Sequence, residues 1–221
     1  RKIQIFLHQQ FMLSCNDDPD DTAYYLREQH AIIHAFSQTY FAVGALANSK
    51  YFDDFSIGKY GDGLDGTWRD ADDGVLARGS IDTGRVDSTI GIELSVNGYS
   101  SDRVHYWLSA GKSEREVLYL HKRMIQEGIL IHMHNTAKSW QEWLTPAMRA
   151  VDGLSIGRRQ KFLISAMVIR AHIDARGAVM SPPSDGLDGR HLYASPRVGA
   201  FALWPLIRLG FKDEPLRFFD F

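Results

Sequence analysis

Ile169 to Phe221 reads I-R-A-H-I-D-A-R-G-A-V-M-S-P-P-S-D-G-L-D-G-R-H-L-Y-A-S-P-R-V-G-A-F-A-L-W-P-L-I-R-L-G-F-K-D-E-P-L-R-F-F-D-F. The apolar run that leads into it, from about Arg158 to Asp174, sets Phe162, Ala166, Ile169 and Ile173 on one side of a helix and Leu163 and Met167 on another. A helix apolar on that much of its circumference needs neighbours on several faces. The run stops at Arg176-Gly177, an irregular stretch rich in Pro, Gly and Asp crosses to Arg197, and a second apolar run continues to Gly210. Helix, loop, helix is the reading, and two apolar helices joined in this way make a hairpin.

Working back from the hairpin, the helical period begins at Ser113. Ser113-Glu114-Arg115-Glu116 fits a capping box, in which the serine hydroxyl accepts from the amide three residues on and the glutamate reaches back to the chain before the helix. Val117, Leu120 and Met124 share one face of the helix that follows. Gly128 interrupts it, and Ile129 to Leu144 resumes a helical pattern with Met133, Trp140 and Leu144 inward until Thr145-Pro146 stops it. Residues 113–154 therefore read as linker helices, and the next helix starts after Ser155.

The first half alternates with the period of strands. Ile3, Ile5 and Leu7 take one face of Lys2 to Leu13, which ends in the acidic turn Asn16 to Asp21. Ala31 to Phe36 and Thr39 to Leu46 form a hairpin across Ser37-Gln38, and Thr89 to Val96 is followed by Arg103 to Ala110 across Asn97-Gly98 and Ser100-Ser101. Between them, Asp53 to Arg85 is dense in glycine and aspartate around Trp68-Arg69-Asp70, long for a loop in a compact domain and so a pointer to function. The fold class is β + α: strands first, helices second.

At 221 residues, with 44% hydrophobic and 24% charged residues, the chain can bury a sizeable core in one or two domains. A net charge of -2 with both signs interspersed gives no basic stripe, which argues against nucleic acid and anionic membrane as partners. No run reaches the roughly 20 apolar residues of a membrane helix. A single cysteine, Cys15, and no Asn-x-Ser/Thr sequon point to a reducing, cytoplasmic compartment. Arg1 lies within a strand pattern, so an upstream segment is expected to be missing.

The hairpin's wording, R-A-H-I-D-A-R-G-A, then P-R-V-G-A-F-A, then L-I-R-L-G, resembles the first helical hairpin of the catalytic barrel in glycoside hydrolase family 15, the glucoamylase family. His8 to Phe11 (H-Q-Q-F), Asp21 to Tyr25 (D-T-A-Y-Y), Gly66 to Gly74 (G-T-W-R-D-A-D-D-G), Asp87 to Gly91 (D-S-T-I-G) and Tyr106 to Ser113 (Y-W-L-S-A-G-K-S) resemble the β-sandwich that precedes the barrel in its bacterial and archaeal members. The resemblance implies an N-terminal β-sandwich of the super-sandwich type over residues 1–112, linker helices over 113–154 and the start of an (α/α)6 barrel over 155–221. It also implies that the chain is a piece of a longer enzyme, since the family's barrel has twelve helices.

What the resemblance implies for chemistry is an inverting hydrolase that releases glucose from α-glucans or small α-glucosides, with no cofactor. Inversion uses a carboxylic acid and a carboxylate about 6.5–9.5 Å apart, with a water between. In the family both are glutamates on later barrel loops that have no counterpart in this sequence, and Glu93, Glu114, Glu116, Glu127 and Glu142 sit in no catalytic motif, so no catalytic residue is assigned. The family's substrate-binding run, Tyr-x-x-x-Trp-Pro-Arg-Asp, matches at Pro196 and Arg197 but has His191, Ser195 and Val198 for its tyrosine, tryptophan and aspartate. Valine offers no acceptor to a sugar hydroxyl, and losing a charged hydrogen bond costs about 1.5–3 kcal/mol. Arg197, His191 and Trp68, the last as a stacking platform or else a core tryptophan, are the candidate substrate-binding residues.

Two other readings stay open at this point. A phosphorolytic enzyme of the same architecture would use phosphate in place of water, and a non-catalytic sandwich would bind carbohydrate or buttress a barrel. Metal sites fare worse. His132 and His134 are two apart on a helix and point to different sides, and Asp70 to Gly74 lacks the ligand spacing of a calcium loop and reads as a polar turn.

Overall fold

The computed structural model describes residues 1–14, 20–180 and 194–221. The chain divides into two compact units, Arg1–Ile131 and His132–Phe221.

The first unit is built from ten strands, β1 (Lys2–Gln10), β2 (Asp21–Leu26), β3 (Ala31–Phe36), β4 (Thr39–Ala47), β5 (Lys50–Tyr51), β6 (Asp54–Gly61), β7 (Leu64–Asp65), β8 (Ile81–Gly84), β9 (Val86–Ser95) and β10 (Val104–Gly111), with the short helix α1 (Thr67–Asp70) and the longer α2 (Glu114–Glu127). One sheet runs β1-β9-β6-β7; the other runs β10-β4-β3-β2-β8, with β5 paired to β4. All described pairings are antiparallel, and β1 lies along the whole of β9, from Lys2 opposite Ser95 to Gln10 opposite Asp87.

Alternation decides what faces inward. Ile90, Ile92 and Leu94, two apart along β9, join Ile57 of β6 in one core with Ile32, Val43 and Ala45 of the other sheet, around the fully buried Phe52. Burying an aliphatic side chain of this size contributes about 1.5–3 kcal/mol, so this sandwich interior holds the unit together. The opposite face of the six-stranded sheet is covered as well, because Ile33 and Ala42 pack on Val117 of α2. That explains why β3 reads as a nearly unbroken apolar run: its first four residues are buried on both sides. The serine half of the capping box forms as its spacing predicts, and the glutamate reaches one residue further back than the cap itself. Glu116 N donates to Ser113 Oγ at 3.2 Å, and Glu116 Oε2 accepts from Lys112 N at 2.8 Å.

The second unit contains α4 (Thr145–Ala150), α5 (Ile156–Ala171), α6 (Pro196–Arg208) and α7 (Asp213–Asp220), and the boundary between the units falls within α3 (Ile129–Trp143). Its core gathers Leu144, Ala147, Ala166, Ile173, Val179, Leu203, Leu206 and Phe211. The chain leaving α5 turns on Asp174, whose Oδ1 accepts from the amides of Arg176 and Ala178, both at 2.9 Å, so that Ile173 bridges Val179. Gly199 in α6 is a contact glycine: a Cβ there would sit 2.3 Å from the Phe218 ring of α7.

Two local expectations are corrected. Asp53 to Arg85 is not irregular throughout but carries β6, β7 and β8; its glycines, and a buried Ser56 beside Ile57, mask the strand alternation. As expected, α3 ends at Trp143, just before Thr145-Pro146, and the same pair opens α4, because proline at the first turn forfeits no hydrogen bond. Met133, expected inward, is 61% exposed, and Phe162, on the same side of its helix as Ala166, is 50% exposed. The architecture is a β-sandwich followed by helices, and no helix among the described residues is long and apolar enough to cross a membrane.

Candidate functional site

Trp68 sits on α1, which is fastened to the outer face of β9 by a buried carboxylate. Asp87, fully buried, accepts from Thr67 N at 3.1 and 3.0 Å through its two oxygens and from His8 Nε2 at 2.9 Å, while Thr67 Oγ1 and Thr89 Oγ1 lie 2.9 Å apart. Gly66 makes this possible, since its φ of +88° suits glycine and a Cβ there would lie 2.3 Å from Asp87 Oδ2. With α1 held down, the Trp68 ring is left 46% exposed, and the Arg69 guanidinium lies 5.8 Å from its centroid. It is therefore a surface aromatic, not a core one. The aspartates beside it build the loop: Asp70 accepts from Ala77 N at 2.6 Å and Asp73 from Val75 N at 2.9 Å, as a polar turn requires. Among the described residues, no group of His, Cys, Asp and Glu could hold a metal ion.

Arg197 lies in the first turn of α6 and is exposed. Ser195, one of the positions that depart from the expected run, has a local explanation. Ser195 is the helix cap, its Oγ accepting from Val198 N at 3.5 Å, and Pro196 occupies the first helical position. Arg197 belongs to the second unit and Trp68 to the first, and His191 lies outside the described residues.

A cleft in the second unit went unrecognised in the sequence. It has a volume of about 540 Å³ and is lined by one side of α3, with Asn135, Ser139, Trp140 and Trp143, and by the end of α5, with Arg170. Trp143 stacks on Phe211 with ring centroids 4.2 Å apart and meets Trp140 edge-on at 5.6 Å. Its Nε1 donates to Glu214 Oε1 at 2.8 Å; Arg170 Nε lies 3.2 Å and Arg217 NH2 3.6 Å from the same oxygen. Glu214 is 4% exposed, so this is a buried carboxylate holding an indole and a guanidinium in fixed positions. The one sequence signal for it was the spacing of Glu214 and Arg217 on a helix, which by itself describes any surface ion pair.

No family model matches the chain, and no match is found among curated proteins. Among solved structures, the chain resembles the crystal structure of a bacterial glucoamylase complexed with acarbose, with a TM-score of 0.74 and 16% sequence identity over 98% of this chain and 32% of that one. The chain thus spans about a third of the length of that enzyme. The likeness is one of fold: this chain has the glucoamylase-like arrangement of a β-sandwich followed by helices.

Proposed function

We propose that the chain belongs to an inverting hydrolase of the glucoamylase family, glycoside hydrolase family 15, acting on α-glucans or small α-glucosides to release glucose. The observation that carries this reading is the structural likeness to the bacterial glucoamylase, which extends over 98% of the chain and therefore over both units. In this reading residues 1–112 are the sandwich, 113–154 the linker helices and 155–221 the first helices of an (α/α)6 barrel. Exposed Phe162 on α5 and Phe201 and Trp204 on α6 support helices that pack into a larger helical layer.

Arg197 would hold a sugar hydroxyl. A cation in the first turn of α6 opposes the helix dipole, which favours a role for Arg197 outside the helix. The catalytic acid and base are assigned to no residue of this chain. The test is release of glucose from maltose and isomaltose by the protein that carries this chain, with the anomer resolved. Glucose appearing first as the inverted anomer is expected, with kcat/KM falling about 10- to 100-fold in Arg197→Ala, the equivalent of one charged hydrogen bond. Release of a sugar phosphate only when phosphate is present would replace hydrolysis by phosphorolysis; no release of either product would leave a non-catalytic carbohydrate-binding or supporting module.

A further inference from the structure

The α3/α5 cleft has the composition of a site for a neutral ring rich in hydroxyls. Its volume of about 540 Å³ lies inside the range of about 300–1,000 Å³ usual for small-ligand sites. Asn135, Thr136 and Ser139 are uncharged donors and acceptors along one side of α3, where His132 also lines the cleft, and none of the described residues lining it is a carboxylate. Among the described lining residues Arg170 is the one permanent cation, and its guanidinium is already engaged by Glu214, a carboxylate it shares with Arg217, so less of it is left to an anion. A wholly apolar ligand is disfavoured for the opposite reason, because it would strip water from three polar side chains without replacing their hydrogen bonds. What remains is a molecule with an apolar face for an indole and an equatorial rim for amide, hydroxyl and guanidinium.

We infer that this cleft binds a pyranose ring, as a free neutral hexose or the end of an oligosaccharide, with Trp140 as the stacking surface, Asn135 and Arg170 as hydroxyl partners and Glu214 as the positioning residue. Glu214 acts through its neighbours: its Oε1 fixes Trp143, whose edge-on contact orients Trp140, and fixes the Arg170 guanidinium. The inference goes beyond the hydrolytic reading, since a sugar can occupy this cleft whether or not a glycosidic bond is cut.

The test is a titration of the intact chain with maltose, followed through the indole N–H resonances of its five tryptophans, with gluconate as an anionic control. The expected result is a saturable shift of the Trp140 and Trp143 resonances while those of Trp68, Trp107 and Trp204 stay in place. Trp140→Ala weakens maltose binding about tenfold and Trp140→Phe keeps most of it, as loss and retention of a stacking face require. Glu214→Gln moves the Trp143 resonance in the absence of sugar and weakens binding several-fold without changing which resonances respond. Shifts confined to Trp68 or Trp204, no saturable shift with maltose, or a response to gluconate alone would each overturn the inference. The wild-type resonance map decides the matter even if a variant does not fold. Glucose release is read separately: binding without release leaves this site standing and removes the hydrolytic reading, and release without Trp140 and Trp143 shifts does the reverse.

Discussion

Trp107 Nε1 donates to His121 Nδ1 at 3.2 Å, tying β10 to α2 through a fully buried imidazole. Because the indole can only donate, Nδ1 must be unprotonated. Nε2 then carries the proton and gives it to the Gln29 carbonyl at 2.9 Å, so both ring nitrogens are used and only one tautomer fits. Burial lowers the His121 pKa, in keeping with a ring held neutral. His121→Ala would leave the Trp107 N–H unpartnered beside a cavity, and a loss of about 3 kcal/mol is expected by chemical denaturation.

A second buried histidine sets the acid limit of the sandwich. His34 Nε2 donates to Ser88 Oγ at 2.8 Å, and Ser88 in turn donates to Gln9 Oε1 at 2.9 Å. Burial lowers the His34 pKa to about 4, opposed in part by the Asp87 carboxylate. The unfolded chain therefore takes up the proton first as pH falls. Stability is expected to be unaffected by this group above the ordinary histidine range and to decline between about pH 6.5 and 4, by about 3 kcal/mol in all. Urea melts of wild type and His34→Gln across that window check it; the variant should lose most of the slope.

Asp87→Ala is expected to release α1 before it unfolds the sandwich. The substitution strips the acceptor from Thr67 N and from His8. Amide exchange between Leu64 and Gly74 should accelerate by more than tenfold relative to β9, and global stability should fall by about 3 kcal/mol, as when one partner of a buried charged network is removed.

Much of this architecture was legible because its signals are local. The capping box at Ser113 and Glu116 announces α2 from four residues, and the spacing of Ala166 and Ile169 announces the side of α5 that packs into the core. The departures have equally definite causes. β6 hides because Ser56 and Gly58 occupy strand positions where an apolar side chain would mark the alternation, and His121 is hidden because Val117, Leu120 and Met124 already make a continuous apolar stripe. The α3/α5 cleft could not be read at all: Trp143 and Glu214 lie 71 residues apart, and nothing in D-E-P-L-R says that the glutamate is buried.

Ser195 and Val198 give a separable test of the first turn of α6. Ser195→Trp removes the cap on Val198 N and is expected to cost about 1 kcal/mol. Val198→Asp, at a half-exposed position in the same turn, places a negative charge where the dipole welcomes it and should recover about 0.5 kcal/mol in a thermal melt. Combined with Arg197 one residue earlier, it also supplies the acceptor that valine lacks, so sugar affinity should rise in the double variant only through Val198→Asp.

The pairing of β1 with β9 imposes an order of events on the nascent chain. Lys2 has its partner in Ser95, so β1 waits through the synthesis of β2 to β9 before its backbone amides find these acceptors. Meanwhile β3 and β4, joined by a two-residue turn, can close at once. Pairings this distant in sequence make folding slow. β1 is then expected to gain exchange protection later than β3 and β4, and until β9 emerges its Ile3, Ile5 and Leu7 are the surface that a holding chaperone would meet.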